Sequence, residues 1–392
     1  MGMKELLYQY NPWWEDAFPK EDVKPREKYL KELRRYLDFK QIIFLTGLRR
    51  VGKTTLMKLI IEELILKGID PTHILYVSLD DYLLRKNNII EIVNEFRTVH
   101  KVEIDKKIYL FFDEVTYKED FHVQLKNIYD SQNTKLFVAS SSASMLRDKK
   151  ASLTGRAITL EIKPLDLEEY LFFNDITIKK RDKQLYKSYF LEYCKTGGLP
   201  ENVLRPNREY LMNLVDDIIQ KDITAFHAIK NHQVVRDYFT LLMERSGKQL
   251  SINKIGKILG ISPDTSKRYL GYFESTYLIY LLPRWGKTNQ KLLSAKKIYA
   301  SDLGIKYLFM GQRDLGSYFE NYIYLLLRDK KILYYLYENT TEIDFITGDN
   351  ILIESKFYAE MNKKQEKLFN EYPAKKKLVI DSVENLELLN DI

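Results

Sequence analysis

A glycine-rich segment at residues 47–55, GLRRVGKTT, constrains the fold more than any other feature of the chain. It matches the pattern G-x-x-x-x-G-K-[ST], it follows the apolar run from Gln41 to Thr46, and apolar residues recur after it at helical spacing. A strand, a glycine loop and a helix in this order form a phosphate-binding loop, because glycines let backbone N–H groups curl round phosphates. The sequence therefore predicts nucleotide binding, with Gly47 and Gly52 shaping the loop.

The polar residues of this segment predict which ligand the loop holds. Lys53 supplies a cation for the β and γ phosphates, and the Thr54 hydroxyl is a ligand for Mg²⁺. Thr55 completes the predicted binding set in the first turn of the helix. We expect ATP with Mg²⁺ as the bound cofactors.

Two acids, Asp113 and Glu114, follow the apolar run Ile108 to Phe112. Ligands of α/β proteins bind at the carboxyl edge of the sheet, where such a strand emerges. We expect Asp113 to hold Mg²⁺ through water and Glu114 to polarise the attacking water, which favours hydrolysis over a passive nucleotide switch. The alternative is that one acid merely caps the following helix.

Composition and the spacing of apolar runs predict the fold around this loop. Apolar residues make up 45% of the 392 residues, and a chain this long forms two or three domains. Apolar runs with little alternation are typical of strands buried on both faces. They lie at residues 41–46, 74–79, 108–112 and 136–139, with 158–162 as a candidate fifth. Because helical stretches separate them, the sequence predicts an α/β fold with helices on both faces of a parallel sheet, over residues 1–164.

The rest of the chain divides into three segments by its pattern. Residues 165–231 are mostly helical in pattern, broken by the GGLP turn at 197–200, and we predict a helical lid or connector. Residues 232–300 combine helices, a tight turn and a hairpin, which predicts a winged helix-turn-helix. Residues 301–392 form a last unit of helices and strands.

Five motifs give the chain a family resemblance. They are NPWW at 11–14, GLRRVGKTT at 47–55, LTGR at 153–156, PLDLEEY at 164–170 and GGLPE at 197–201. Over nearly its whole length the chain resembles an archaeal and bacterial family of AAA-like P-loop ATPases that carry a winged helix and a restriction-endonuclease-like C-terminal domain. The resemblance implies an α/β restriction-endonuclease-like fold for residues 301–392. It also implies a homo-oligomer, since such ATPases often act as rings.

Further candidates for the nucleotide site come from these motifs. By resemblance Ser141, in the serine run at 140–142, takes the polar sensor position near the γ-phosphate. Arg156 is a candidate arginine finger, in its own or a neighbour's site; the alternative is a surface arginine that stabilises a turn. Trp13 and Trp14 either flank adenine or pack the N-terminus onto the core.

The segment from His232 to Ala300 holds twelve Lys and Arg against four Asp and Glu, while the whole chain carries only +7. A basic patch of this kind is the electrostatic footprint of nucleic-acid binding. On the second helix of the predicted winged helix we expect Lys267, Arg268 and Thr265 to contact DNA. On the predicted wing, phosphate contacts are expected from Arg284, Lys287, Lys291, Lys296 and Lys297. The alternative is a packing module with a solvated basic face.

Four residues of the last unit match the restriction-endonuclease-like pattern: Glu320 on a helix, Asp344 on a strand, and Glu354 and Lys356 on the next strand. We expect Asp344 and Glu354 to share one Mg²⁺ and Lys356 to stabilise the developing charge. The alternatives are an inactive DNA-binding relic and an unrelated interaction domain. In a functionless network, Lys356 and a nearby lysine such as Lys363 neutralise the acids.

Two functions of different classes fit these features. The first is a DNA-directed ATPase, acting on duplex or branched DNA, with Mg²⁺-dependent nuclease activity in the C-terminal domain. The second is a nucleotide-switched regulator that binds protein partners. Cys194 is the single cysteine, which excludes an intramolecular disulfide and fits the cytoplasm. No apolar run approaches the ~20 residues that span a bilayer, so we expect no membrane partner.

Overall fold

The structure, a computed structural model, describes residues 2–19, 23–141 and 153–392. These residues form two compact units, Met1–Lys163 and Pro164–Ile392. In the described ranges, no helix has both the length and the apolar character needed to cross a membrane.

The first unit is built on a five-stranded parallel sheet with the strand order β2-β3-β4-β1-β5. Its strands are β1 Ile42–Thr46, β2 Ile74–Ser78, β3 Ile108–Asp113, β4 Thr134–Ser140 and β5 Ala157–Glu161. Its helices include α1 Met3–Tyr10, α2 Glu27–Tyr36, α3 Lys53–Leu66, α4 Ile89–His100 and α5 Phe121–Ser131.

The central strands β1, β3 and β4 are buried at every position. This is why their sequences are apolar runs without alternation: helices cover both faces of the sheet, so neither face of these three strands meets water. The predicted α/β fold with a parallel sheet is confirmed, and the candidate fifth strand pairs with β1 from Ile42↔Ala157 to Thr46↔Glu161. Because parallel strands end at one edge, the carboxyl ends of β1 and β3 lie on the same side of the sheet.

The N-terminal segment packs along β2, the edge strand farthest in the sheet order from β5. The buried Asn11 side chain donates to Tyr76 O at 2.9 Å and accepts from Tyr76 N at 2.6 Å, as a neighbouring strand would. Trp14 donates to Ile74 O at 2.9 Å and stacks on Phe96. These contacts match the packing role for Trp14, because β2 is separated from the loop-bearing β1 by two strands.

The second unit begins with a helical region. Its elements are α6 Leu167–Phe173, α7 Leu185–Thr196, α8 Pro200–Leu204, α9 Arg208–Asp217, a π-helical segment Ile218–Ala225 and α10 His232–Glu244. The predicted turn between α7 and α8 depends on glycine: Gly197 has a φ of 75°, and a Cβ on Gly198 would lie 2.1 Å from Leu165 O. No larger residue fits there without moving the backbone.

The middle of the second unit contains a three-stranded antiparallel sheet with the order β6-β8-β7. Its elements are β6 Gln249–Leu250, α11 Ile252–Leu259, α12 Pro263–Ser275, β7 Ile279–Leu282, α13 Thr288–Leu293 and β8 Lys296–Ala300. Ser262 caps α12 by accepting from Thr265 N at 3.1 Å, with Pro263 as the first helical residue. The helix ends at Ser275, and the apolar residues after it continue into β7.

The C-terminal part of the second unit contains a four-stranded mixed sheet with the order β12-β11-β10-β9. Its elements are α14 Leu303–Met310, α15 Leu315–Leu327, β9 Leu333–Glu338, β10 Thr341–Thr347, β11 Ile351–Ser355, α16 Lys363–Glu371, β12 Lys376–Ile380 and a 3-10 segment Val383–Asp391. The register of β10 shifts between Ile343 and Ile346. Irregularities of this kind turn side chains out of the regular alternation, and here the shift spans Asp344.

The three divisions expected within the second unit, at residues 165–231, 232–300 and 301–392, stay a prediction. The same holds for the winged helix-turn-helix and restriction-endonuclease-like interpretations.

Candidate functional site

The phosphate loop connects the carboxyl end of β1 to the amino end of α3. Gly47 has a φ of 131°, and a Cβ there would lie 2.0 Å from Ile162 O, so the loop leaves the strand through a gap that only glycine fits. Gly52 has a φ of 96° and caps α3. The first turn of a helix has backbone N–H groups without intrahelical partners, and the helix dipole favours an anion there. The loop therefore has the backbone geometry of an anion site.

Lys53 lies in the first turn of α3 and is 6% exposed. Its ammonium donates to Gly47 O at 3.0 Å and to Leu48 O at 2.9 Å. These carbonyl partners hold the ammonium against the loop that binds the phosphates. Thr55, also predicted for this site, is half-buried in the same turn.

Asp113 is the last residue of β3 and is buried. Its Oδ2 accepts hydrogen bonds from the Thr54 hydroxyl and, at 3.3 Å, from the Tyr76 hydroxyl. Its Oδ1 accepts from Glu114 N at 3.0 Å. The two predicted Mg²⁺ ligands, Thr54 and Asp113, thus lie in direct contact although 59 positions separate them in the chain. The sequence does not single out Tyr76, because a tyrosine inside an apolar strand has the pattern of a core residue.

Glu114 follows β3 with a φ of 48°, in the left-handed region that non-glycine residues rarely adopt. Ser141 Oγ donates to Glu114 Oε1 at 2.8 Å. Burial raises the pKa of the Glu114 carboxyl, an effect that the nearby Lys53 ammonium partly offsets. A carboxylate in a strained backbone position, oriented by a serine and raised in pKa, has the features of a general base. Ser142, another serine of the same run, lies outside the described residues.

Arg156 lies next to β5, where its carbonyl accepts from Ile42 N at 2.8 Å. Ile42 begins β1, whereas the phosphate loop follows Thr46 at the other end of that strand. Five strand residues span roughly 13–17 Å, so Arg156 is at the opposite edge of the sheet from its own loop. Its guanidinium instead pairs with Asp130 at 3.0 Å. The expectation that Arg156 serves its own site is therefore wrong, and these contacts match the surface alternative.

Some basic residues of the segment 232–300 are exposed to solvent, and others contact residues of β9. Lys267 and Arg268 are exposed on α12, and Lys287 is exposed at the start of α13. Arg284, by contrast, donates to Tyr337 O, and its guanidinium lies 5.3 Å from the Tyr337 ring centroid. Lys291 lies 4.2 Å from the Tyr334 ring centroid.

These contacts correct the expected wing. The backbone after β7 pairs with β9 through Trp285 N to Tyr335 O at 2.7 Å and Tyr335 N to Pro283 O at 3.1 Å. Arg284 is therefore a packing residue in this part of the chain, and the segment between β7 and β8 is not an open hairpin. Lys297, also expected on the wing, is fully buried.

The C-terminal acids form a cluster with two lysines, which we name the carboxylate cluster; Lys297, Asp344 and Glu354 are buried in it and the other members are half-buried. Its acids are Glu320, Glu342, Asp344 and Glu354, and its lysines are Lys297 and Lys356. Lys297 Nζ lies 2.6 Å from Glu320 Oε1, 2.7 Å from Glu342 Oε1 and 3.3 Å from Asp344 Oδ1. The predicted acids therefore do come together, but Lys297 and Glu342 were missed.

The remaining oxygens of Asp344 and Glu354 also have donors. Asp344 Oδ2 accepts from the backbone N–H and hydroxyl of Ser355 at 3.0 and 2.5 Å. Glu354 Oε2 accepts from Asp344 N at 3.0 Å, while its Oε1 pairs with Lys356 at 2.7 Å and accepts from Gln365 at 3.2 Å. Both oxygens of both acids are thus engaged.

Electrostatics in the carboxylate cluster follow from its burial. Burial and the neighbouring Asp344 raise the pKa of Glu320 to about 7. The same two causes raise the pKa of Glu354 well above its ordinary value. Burial lowers the pKa of Lys297. Glu320, Tyr299, Asp344 and Glu342 raise that pKa by more than burial lowers it, so the ammonium stays protonated.

This geometry does not fit the expected Mg²⁺ site at Asp344 and Glu354. Among residues 2–19, 23–141 and 153–392, no group of three or more His, Cys, Asp and Glu side chains is placed to hold a metal ion. The donors that engage the two acids are an ammonium, backbone N–H groups and a hydroxyl, and a metal would have to displace them. The lysine that joins Lys356 is Lys297 from β8 and not Lys363, which is exposed.

Comparisons with known proteins agree with the first unit. An AAA domain family model matches residues 39–171, and a model described as a domain of unknown function, DUF8612, matches residues 187–315. Uncharacterized protein MJ1544 of Methanocaldococcus jannaschii is 28% identical over 363 residues, which cover 88% of this chain and 80% of that protein. An uncharacterized protein of Haemophilus influenzae is 25% identical over 345 residues, which cover 83% of this chain and 85% of that protein.

Solved structures show weaker likenesses. AMPPCP-bound DnaA from Aquifex aeolicus covers 66% of this chain and 93% of its own at 17% identity and a TM-score of 0.31. The match to the Hsp104:casein complex of S. cerevisiae covers 66% of this chain and 51% of that chain, at 16% identity and a TM-score of 0.33. Likenesses at these scores carry no argument about function. The family match over residues 39–171 and the geometry of the loop and acid pair together support an AAA-like P-loop ATPase.

Proposed function

We propose that the chain binds ATP with Mg²⁺ at the phosphate loop, hydrolyses it, and uses the cycle to act on DNA. One observation carries the ATPase part: Thr54 contacts Asp113 while Ser141 holds Glu114 beside it. Cation-binding oxygens and a base are thus assembled next to an anion-binding loop, and hydrolysis needs all three.

Each group has a role in this proposal. Hydroxyl and carboxylate oxygens are the ligands that Mg²⁺ prefers, so Thr54 and Asp113 fit the ion that accompanies ATP. Lys53 compensates the charge on the β and γ phosphates. Glu114 orients and deprotonates the attacking water, and its raised pKa brings it closer to the working pH.

The DNA part of the proposal is supported by Lys267 and Arg268, which are exposed on α12. Tyr269, Leu270 and Phe273 are buried on the opposite side of this helix, so packing fixes the basic face outward. A helix that follows a tight turn and exposes basic residues suits the major groove of a duplex.

The C-terminal part enters the proposal as a DNA-docking or protein-docking element without cleavage. This choice follows from the engaged oxygens of Asp344 and Glu354, because metal-dependent nucleases need carboxylates that are open to the ion.

The test is ATP turnover with and without duplex or branched DNA, in Mg²⁺. We expect DNA to raise turnover several-fold in the wild type and not in the Lys267→Ala, Arg268→Ala double variant. Turnover that no DNA changes would favour the nucleotide-switched regulator of protein partners instead. No turnover under any condition would contradict the ATPase itself.

A further inference from the structure

Lys297 occupies an unusual position for a lysine. It lies on β8, its side chain is 0% exposed, and its ammonium faces three carboxylates from two elements, Glu320 of α15 and Glu342 and Asp344 of β10. A buried ammonium without partners costs several kcal/mol, so lysines at such depth are retained with compensating acids. The carboxylates have the same need, because acids this close repel one another unless a cation lies between them.

The space between these acids is therefore already filled by a cation. A Mg²⁺ ion binds oxygens at about 2.1 Å in near-octahedral geometry. An ion that bridged Glu320 Oε1 and Asp344 Oδ1 would compete for both atoms with Lys297 Nζ, which lies 2.6 and 3.3 Å from them. Lys297 thus already occupies the carboxylate oxygens that a divalent ion would need.

The surroundings of Lys297 hold it in place. The Tyr299 hydroxyl donates to Glu320 Oε1 at 2.7 Å, and Gln249 donates to Glu342 Oε2 at 2.7 Å. Both residues belong to the three-stranded sheet that carries Lys297, which pairs with Gln249 in the β6–β8 register. Three side chains of one sheet thus meet the acids of the neighbouring elements.

We infer that Lys297 is the resident cation of the carboxylate cluster: it takes the place of a divalent metal and joins the three-stranded sheet to the acids of α15 and β10. The inference does not rest on the proposed ATPase or on DNA binding. In this role the cluster connects the three-stranded sheet to α15 and β10 through ion pairs. Removal of the Lys297 ammonium should then open a site for a divalent ion.

The first experiment uses the full chain without nucleotide and titrates it with Mn²⁺, following free Mn²⁺ by electron paramagnetic resonance. The wild type and Asp344→Asn should give superimposable curves, because Asp344 faces an ammonium and no metal. A Mn²⁺ site present in the wild type and absent from Asp344→Asn would overturn the inference.

The second experiment replaces Lys297 by Met, which is similar in length but neutral. This variant should acquire one Mn²⁺ site per chain, and Mn²⁺ should raise its melting temperature while leaving that of the wild type unchanged. The double variant Lys297→Met, Asp344→Asn should not bind Mn²⁺ at this site. A folded Lys297→Met protein without a new site would contradict the inference. If this variant does not fold, the comparison of the wild type with Asp344→Asn decides alone.

Discussion

The phosphate-loop site and the carboxylate cluster both place a buried lysine near acids, yet they engage their charges in opposite ways. At the loop, Asp113 and Glu114 accept from hydroxyl and backbone N–H groups, and Lys53 donates to carbonyl oxygens. In the cluster, the ammonium groups of Lys297 and Lys356 lie directly on carboxylate oxygens.

This difference distinguishes a site whose carboxylates can accept a cationic ligand from a cluster whose charges are already paired within the protein. Neutral donors orient a carboxylate but leave its charge for an incoming cation. A direct ion pair cancels both charges within the protein, so a ligand gains little by entering. The partners of an acid therefore predict its function better than the acid itself does.

The largest effect is expected at Lys53. Lys53→Ala should lower ATP turnover by ~10³-fold, because the variant lacks the cation for the β and γ phosphates where charge develops. Circular dichroism should remain unchanged, since the Lys53 ammonium donates to neutral carbonyls of its own loop. Lys67→Ala, exposed at the end of the same helix, is the control and should keep full turnover. Wild-type turnover in Lys53→Ala would contradict the site.

A smaller effect, on stability, is expected at Lys356. Its ammonium lies 2.7 Å from Glu354 Oε1, and Glu354 is 0% exposed. Lys356→Met leaves that acid without its cation and should lower the free energy of unfolding by about 2–3 kcal/mol, measured by urea denaturation. Lys364→Met, at an exposed position on α16, should change it by less than about 0.5 kcal/mol. Equal stabilities of Lys356→Met and the wild type would show that this ion pair makes no net contribution to the free energy of unfolding.

The smallest effect is expected at the exposed basic face of α12. Replacing Lys267 and Arg268 by Ala should weaken binding to duplex DNA several-fold. The dependence of log K on log salt should flatten by about one unit for each DNA phosphate that the variant no longer neutralises. ATP turnover without DNA should not change. Unchanged affinity at several salt concentrations would show that this face is solvated and does not touch DNA.

The first unit could be predicted from the sequence because its signals are local. The loop glycines, Lys53 and Thr54 lie in one contiguous motif, and Asp113 and Glu114 are adjacent at the end of an apolar strand. Five apolar runs separated by helices then bring these pieces to one sheet edge. Tyr76 escaped prediction because its hydroxyl reaches Asp113 only through the pairing of β2 with β3.

The carboxylate cluster could be predicted only in part. Asp344, Glu354 and Lys356 share a recognisable spacing, but their main cation lies 47 positions before Asp344 on another sheet. A count of charges along the sequence includes Lys297 in the basic segment 232–300, although this lysine is buried. Arg284 was misassigned for the same reason, because a positive residue in a predicted wing gives no sign of the backbone carbonyl to which it donates.

The central claim is that the two adjacent acids of the first unit have different roles: Asp113 binds the Mg²⁺ ion, and Glu114 deprotonates the attacking water. Measuring ATP affinity and single-turnover hydrolysis of Glu114→Gln beside the wild type tests it most directly, with the exposed Glu119→Gln as control. We predict unchanged ATP affinity and hydrolysis slowed by ~10²-fold or more, because the amide keeps the shape but cannot take a proton. Hydrolysis at the wild-type rate, or loss of ATP binding, would contradict the account.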